Sequence, residues 1–409
     1  MVTVKSFKAI RPDKKYVSEV ASLPYDTMNT EEAREMAQNN RNSYLRIDRA
    51  EIDLPEGTAI DSEKVYIKAA ENIEDFRKRG IFIQDTGEHL YIYREIMDGR
   101  EQIGIVGCVS VDESLGGKIK KHEHTKPDKV EDRLNHIRYC KANTGTILLT
   151  YNKNDEIEKN IKNKMKEEPE YNFTSNDNVR HTVWVLDEHE SKVIENNFKN
   201  VKSLYIADGH HRSEAAEKYA VEKRKEIGNY TGNEEFNYYL AMIAPKENLY
   251  VMDYNRVVRD LNGLSKEEFL KKVENYFDIS KESGEYKPTK KYEYGMYLDG
   301  QWYKLSFNNE EDINGIIERL DVSVLHDYLI EPILGIKTPQ KDARIDFIGG
   351  IRGIGEISKR VDKDMEVGFA LYPTSIEELM KVADMDGIMP AKSTWFEPKV
   401  RCGLFLHSL

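Results

Sequence analysis

Cysteine is scarce: three residues among 409, Cys108, Cys140 and Cys402, odd in number and far apart. That spacing excludes a disulfide framework and the paired thiolates of a zinc site. Long apolar runs are missing too, since none approaches the roughly 18 residues of a membrane span. The opening Met-Val-Thr-Val-Lys-Ser-Phe-Lys has no apolar core of a secretion signal. A reducing cytoplasm is the expected location, with no membrane partner. There is no surplus of positive charge: 61 Lys and Arg stand against 73 Asp and Glu, for a net charge of −12. That argues against a surface built to coat nucleic acid, because a phosphate backbone needs a basic face. A small anion in a local basic pocket stays compatible with an acidic chain. No internal repeat is visible, and low complexity is confined to charged stretches such as 154–178.

What is present suits a large α+β protein. Hydrophobic residues make up 39% and charged residues 33%, and the length allows two or three domains at about 100–200 residues each. Residues 90–97 and 102–111 flank Asp98-Gly99, and 292–298 and 301–307 flank Asp299-Gly300; both read as hairpins with type I′ turns. Residues 238–244 and 249–254 read as a further hairpin, and 43–47 alternates like a strand. Helices are expected at 31–38 behind an Asn29-Thr30 cap, at 61–79, 128–141 and 320–334, and at 264–277 and 374–385 behind capping boxes. Hairpins interspersed with helices point to mixed or antiparallel sheets rather than a regular βαβ repeat. The glycine-flanked stretch 228–232 divides the chain into expected domains 1–230 and 231–409.

Seven residues carry most of the chemistry: Ile206-Ala207-Asp208-Gly209-His210-His211-Arg212. An apolar stretch precedes them and a helix-forming stretch follows, so the order is strand, glycine turn, basic cluster, helix. That order aims backbone N–H groups and a positive helix end at one spot, which polyanions occupy. Gly209 has no side chain to hold a ligand away and accepts positive φ. His210, His211 and Arg212 supply donors for phosphate oxygens, the guanidinium bidentately. Asp208 is placed to hold a metal or take a proton. The plain alternative is a polar turn whose histidines cap neighbouring backbone.

Three further clusters stand out. His122-Glu123-His124-Thr125 has its histidines two apart, not four, so it is not a zinc-protease motif; substrate or phosphate binding competes with a structural turn. Pro24-Tyr25-Asp26 places a carboxylate just before a helix, as a cap or as a second acid beside Asp208. Met389 to Lys399 contains Lys392-Ser393-Thr394, which resembles the end of a P-loop without its glycines. Those three residues reach a phosphate, or the segment is an anchor that packs Trp395 and Phe396.

With these clusters in hand, the sequence resembles, nearly end to end, the bacterial and archaeal family known as domain of unknown function 1015. The resemblance rests on Ala9-Ile10-Arg11-Pro12, Pro24-Tyr25-Asp26, His122-Glu123-His124-Thr125 with Asp132-Arg133, Ala207 to Arg212, residues 321–335, and Met389 to Thr394, in that order. One departure is Tyr254-Asn255-Arg256, where many members carry a His-Arg pair; no role is assigned there. More distantly, Asp208 to Arg212 is similar to the phosphate-binding signature of the ParB/sulfiredoxin superfamily, which includes free-serine kinases. That similarity implies a ParB/sulfiredoxin-like core within residues 1–230; residues 231–409 are expected to form a second α+β domain contributing to the same cleft. The similarity implies Asp208, His210 and His211 as catalytic, and Gly209 and Arg212 as phosphate-binding; His122, Arg133, Lys392, Ser393 and Thr394 are further phosphate-binding candidates from the clusters themselves. Asp26 and Glu123 would bind substrate.

The expected activity is phosphoryl transfer from ATP, ADP or pyrophosphate to the hydroxyl of free L-serine or a similar small metabolite. Mg²⁺ assists, with Asp208 as its candidate ligand. The rivals are a non-catalytic nucleotide or metabolite binder and a ParB-like regulatory protein. A sulfiredoxin-like reductase is disfavoured, because histidine stands where its reactive cysteine belongs.

Overall fold

Asp98 and Gly99 both take positive φ, 50° and 78°, the geometry of a two-residue turn whose twist matches its flanking strands. They join strand Tyr91–Met97 to strand Arg100–Ser110, with Tyr91 opposite Val106 and Met97 opposite Arg100. Asp299-Gly300, at 50° and 72°, joins Glu293–Leu298 to Gln301–Phe307 in the same way. The structure, a computed structural model, describes residues 1–409 apart from the side chain of Asp312. Its residues form two units, one of 1–121, 125–249 and 398–409, the other of 122–124 and 250–397. Both mix helices with largely antiparallel sheets, the α+β class expected from the sequence.

The first unit is built on a nine-stranded sheet. Strand Leu204–Asp208 lies between Ile119–Lys120 and Ile147–Tyr151, followed outward by Tyr238–Pro245, Arg100–Ser110, Tyr91–Met97, Arg180–Val185 and Tyr171–Thr174. Leu204 and Ile206 face a core that also takes Ala215, Ala216, Tyr219 and Ala220 from helix His210–Ile227. Burial of that apolar stripe fixes the helix against the strand that precedes it. Helix Pro127–Cys140 packs on both His210–Ile227 and Glu63–Lys78.

The second unit holds a six-stranded sheet in the order Phe277–Glu282, Gln301–Phe307, Glu293–Leu298, Val367–Leu371, Tyr254–Val258, Ile345–Gly349. Val257, Tyr297, Trp302 and Ile348 pack with Ile357 and Val361 of helix Gly355–Lys363. The capping boxes Ser265–Glu268 and Ser375–Glu378 both form.

Three expectations differ from what is observed. Residues 43–47 do not form a strand: Leu45–Asp48 is a short helix, and Ser43 Oγ accepts from Leu45 N at 3.3 Å. Five alternating residues cannot separate one helical turn from a short strand. Residues 238–254 do not pair with each other. Tyr238–Pro245 is a buried central strand, parallel to Ile147–Tyr151, while Tyr254–Val258 belongs to the second unit's sheet. The units meet in sequence at 249/250 and not at 230, because Tyr238–Pro245 is needed in the first sheet.

The last twelve residues return to the first unit after 148 residues of the second. Ser22 and Cys402 exchange backbone hydrogen bonds, Ile10 and Leu406 do the same, and His407–Ser408 pairs with Ala142–Asn143. Leu406 is fully buried among Ile10, Val20, Tyr44, Ile73 and Phe76. Truncating it leaves a cavity, so Leu406→Ala is expected to destabilise by about 2–5 kcal/mol. The check is the urea midpoint of the first unit; an unshifted midpoint would mean the tail is merely draped on the surface.

Candidate functional site

Asp208 ends its strand at a register shift. Ile206 pairs with Leu149 and Asp208 with Leu148, leaving Ala207 as the extra residue. Such a bulge bends the strand and re-aims the side chains next to it. Gly209 follows with φ 100° and is the N-cap of helix His210–Ile227. The first N–H groups of that helix have no partner within it, and its N-terminal end carries partial positive charge. The first turn contains no acidic side chain to neutralise that charge.

The carboxylate of Asp208 meets two cations. Lys399 Nζ donates to Oδ2 at 3.0 Å, and Arg212 Nη2 lies 4.0 Å from Oδ1. Burial alone would raise the pKa of this carboxyl. The charges of Lys399 and Arg212, the Lys399 hydrogen bond and the charge of His210 outweigh burial and bring it down to about 2. Asp208 is therefore ionised at neutral pH, and its side chain keeps 28% exposure. Lys399 is placed by the returning tail: Gln102 Nε2 donates to Pro398 O at 3.2 Å, and Arg401 binds Ser175 and Asp177.

Arg212 folds back over its own glycine turn. A Cβ at Gly209 would lie 3.1 Å from Nη2, and one at Gly145 would lie 3.2 Å from Nη1. Two glycines thus make the slot in which Nη1 reaches Thr146 O at 2.6 Å. Gly209 is needed for the arginine as well as for its φ. The Nε of Arg212 and Oδ2 of Asp48 are buried without protein partners. Both residues line a cavity of about 20 Å³ with Arg133, His136 and Thr144, enough for about one water.

His211 Nε2 accepts from the backbone N–H of Lys126 at 3.1 Å. Burial lowers its pKa, although the nearby carboxylates of Asp26 and Glu214 oppose this. The imidazole is therefore neutral with its proton on Nδ1, a donor. Asp26 sits on the turn Tyr25–Thr27, exposed, while Tyr25 is buried. Its charge acts on both His211 and Arg212. Arg133 lies 4.0 Å over the Tyr25 ring and binds Asp132 at 2.9 Å and Asp48 at 3.3 Å. Its charge is matched by two carboxylates, so it holds the turn that carries Asp26. The structure thus brings Asp26, Asp208, Gly209, His210, His211 and Arg212 together, with Arg133 one layer behind.

His122, Glu123, Lys392, Ser393 and Thr394 belong to the second unit. There His122 O accepts from Met389 N at 2.8 Å. Ser393 Oγ donates to Pro390 O, and Ser393 O accepts from Thr374 Oγ1 at 3.0 Å, so this serine locks a turn. Lys392 is exposed, with φ 61°. The residues that sequence reasoning missed are Lys399, Gly145 and Asp48. Only a basic side chain after Pro398 hinted at the first. All three cysteine thiols are pushed up by burial, Cys402 well above the usual range even beside Arg212. None is a ready thiolate, which weighs against redox chemistry of the sulfiredoxin kind.

The chain belongs to the family described as protein of unknown function DUF1015, whose model matches residues 4–323. No curated protein sequence matches it. Similar solved structures include a point mutant of free serine kinase in complex with AMP, at 11% identity over 73% of this chain and 91% of that one, with a TM-score of 0.37. A conserved hypothetical protein from Pyrococcus furiosus gives 12% identity over 74% and 95%, with a TM-score of 0.35. SbnI with a C-terminal truncation, from Staphylococcus aureus, gives 13% over 73% and 85%, with a TM-score of 0.39.

Because the folded carboxyl of Asp208 lies near 2 and an unfolded one near ~3.9, the ion pair stabilises the native state above about pH 4 and loses that effect as pH falls toward 2. Lys399→Met is expected to melt below wild type at pH 7, with the gap closing between about pH 4 and 2. Thermal unfolding across that range checks it; a gap independent of pH would assign the effect to lost packing.

Proposed function

We propose that the protein is a small-molecule phosphotransferase. It moves a phosphoryl group from a nucleotide or pyrophosphate to the hydroxyl of a small metabolite, with free L-serine the acceptor implied by the signature. The observation that carries this reading is the ionised Asp208 at the glycine turn, set among Lys399, Arg212 and the N-terminus of a helix with no acidic residue in its first turn. Phosphoryl transfer asks for positioning and charge neutralisation more than for covalent chemistry. Cations and helix N–H groups around one spot supply both.

The roles follow from protonation states. At about 2, Asp208 is too weak a base to take a proton efficiently near neutral pH. Its part is electrostatic: it orients Lys399 and keeps Arg212 over Gly209. Neutral His211 offers its Nδ1–H to a phosphate oxygen, and the first helix N–H groups offer theirs. Asp26 stands at the acceptor end, where a carboxylate holds an ammonium group or takes the hydroxyl proton. In the transfer, the bond from phosphorus to the donor's bridging oxygen breaks and one to the acceptor oxygen forms; the acceptor proton goes to Asp26.

The residues also fit Mg²⁺. Asp208 is ionised and partly exposed, with Oδ1 no closer than 4.0 Å to Arg212, and Mg²⁺ takes one or two carboxylates together with phosphate oxygens and water. Bound there, it would offset charge on the donor phosphates.

Phosphorus-31 NMR of the protein with Mg²⁺, a panel of ATP, ADP and pyrophosphate, and free amino acids tests the reading. A new phosphomonoester resonance is expected, reduced about 100–1,000-fold or more in rate by Asp208→Asn. No new resonance across the panel leaves a binding protein as the better description. An Asp208→Asn variant as fast as the parent removes Asp208 from the chemistry.

A further inference from the structure

Arg256 lies on strand Tyr254–Val258, between strands Ile345–Gly349 and Val367–Leu371. It is only 4% exposed. At such depth an arginine ordinarily faces a carboxylate, because an unpaired buried charge is costly. Here the guanidinium donates to two backbone carbonyls, Tyr254 O and, at 3.1 Å, Lys392 O. Its carbon lies 5.5 Å from the centre of the Phe347 ring. Among the described residues, no aspartate or glutamate is bound to it. Burial lowers its pKa to about 10, opposed by the phenols of Tyr254 and Tyr294; at neutral pH it is still a full cation. Two of its five N–H donors are engaged, in a fork shaped for a planar or tetrahedral oxyanion.

The backbone that meets it belongs to another cation. Lys392, whose carbonyl accepts from Arg256, holds its ammonium 5.5 Å from the centre of the Tyr254 ring. Its φ of 61° is a left-handed conformation that non-glycine residues seldom take. The hydrogen bonds of Ser393 to Pro390 O and of Thr374 to Ser393 O maintain that turn. Around the pair, Tyr254 meets Trp395 edge-on at 5.2 Å and Phe347 at 6.1 Å. Gly349 lets the indole lie on the backbone, since a Cβ there would come within 2.7 Å of the ring. Arg256, buried without a carboxylate partner, thus lies against Phe347, and Lys392 against Tyr254, on which Trp395 packs.

We propose that the second unit carries an anion site of its own, in which Arg256 and Lys392 take a phosphate group, free or as a phosphate ester, beside Tyr254, Phe347 and Trp395. A bound dianion supplies the missing counter-charge, and the rings limit competing water. The inference goes beyond the phosphotransfer reading and does not require it.

The test is titration of the full chain with inorganic phosphate, ATP or acetate while following tryptophan fluorescence. Loss of the response in Trp395→Phe assigns the signal to this corner. A saturable response is expected to phosphate or to ATP, whichever is the natural source, with none to acetate. Affinity should fall at least tenfold in Lys392→Ala, an exposed position that leaves folding intact, and the response should vanish in Arg256→Met. If Arg256→Met fails to fold, Lys392→Ala and the charge-keeping Arg256→Lys decide. The response should persist in Asp208→Asn, which separates it from the first unit's site. An equal response to acetate, no response to any probe, or an unchanged response in Lys392→Ala and Arg256→Lys would overturn the proposal.

Discussion

The ion pair between Asp208 and Lys399 joins residues 191 positions apart, and the candidate site of the first unit is arranged around it. A lone carboxylate at a bulged strand end, facing a helix N-terminus, would titrate according to the balance of burial against partial charge. With Lys399 at 3.0 Å and Arg212 behind, the balance falls clearly to the ionised form. That holds Asp208 as a fixed negative charge at neutral pH. It also explains why residues 398–409 belong to the first unit despite the 148 residues that precede them in the second. The tail delivers Lys399 and packs Leu406 in one crossing.

Much of the site was legible because it is local. Strand, glycine and helix follow one another within residues 204–227, and a glycine with φ 100° before a helix is a requirement that a short window expresses. The two Asp-Gly hairpins are legible for the same reason, since type I′ turns need positive φ at both central positions. Capping boxes at Ser265 and Ser375 are equally local. What stayed hidden is non-local. Nothing near Lys399 signals Asp208, and nothing near Gly145 signals that a guanidinium from the 210–227 helix will fill its missing side chain. Residues 238–254 misled because a buried parallel strand has no alternation to distinguish it from half of a hairpin.

Arginine roles could not be read from sequence, and the structure separates them by what each guanidinium faces. Arg133 meets Asp132 and Asp48 and stacks on Tyr25, so it is a structural cation with its charge answered. Arg212 faces Asp208 and the Thr146 carbonyl, and its Nε has no protein partner. Arg256 faces carbonyls and rings alone. All three are largely withdrawn from solvent and differ in counter-charge.

That difference bears on where an anion gains most. A phosphate arriving at a cation already paired with a carboxylate must compete with it, so the net gain is a difference between two attractions. At an unpaired buried cation nothing is displaced, and the cost of burying that charge is borne by the ligand-free protein alone. If the first unit's cluster takes a phosphate chain, as proposed, Asp208 would make it selective, because the compensated cations would answer a strongly charged chain more than a weak monoanion. At the site proposed around Arg256, a phosphate dianion would answer both the guanidinium and Lys392, which a monoanion such as acetate cannot do.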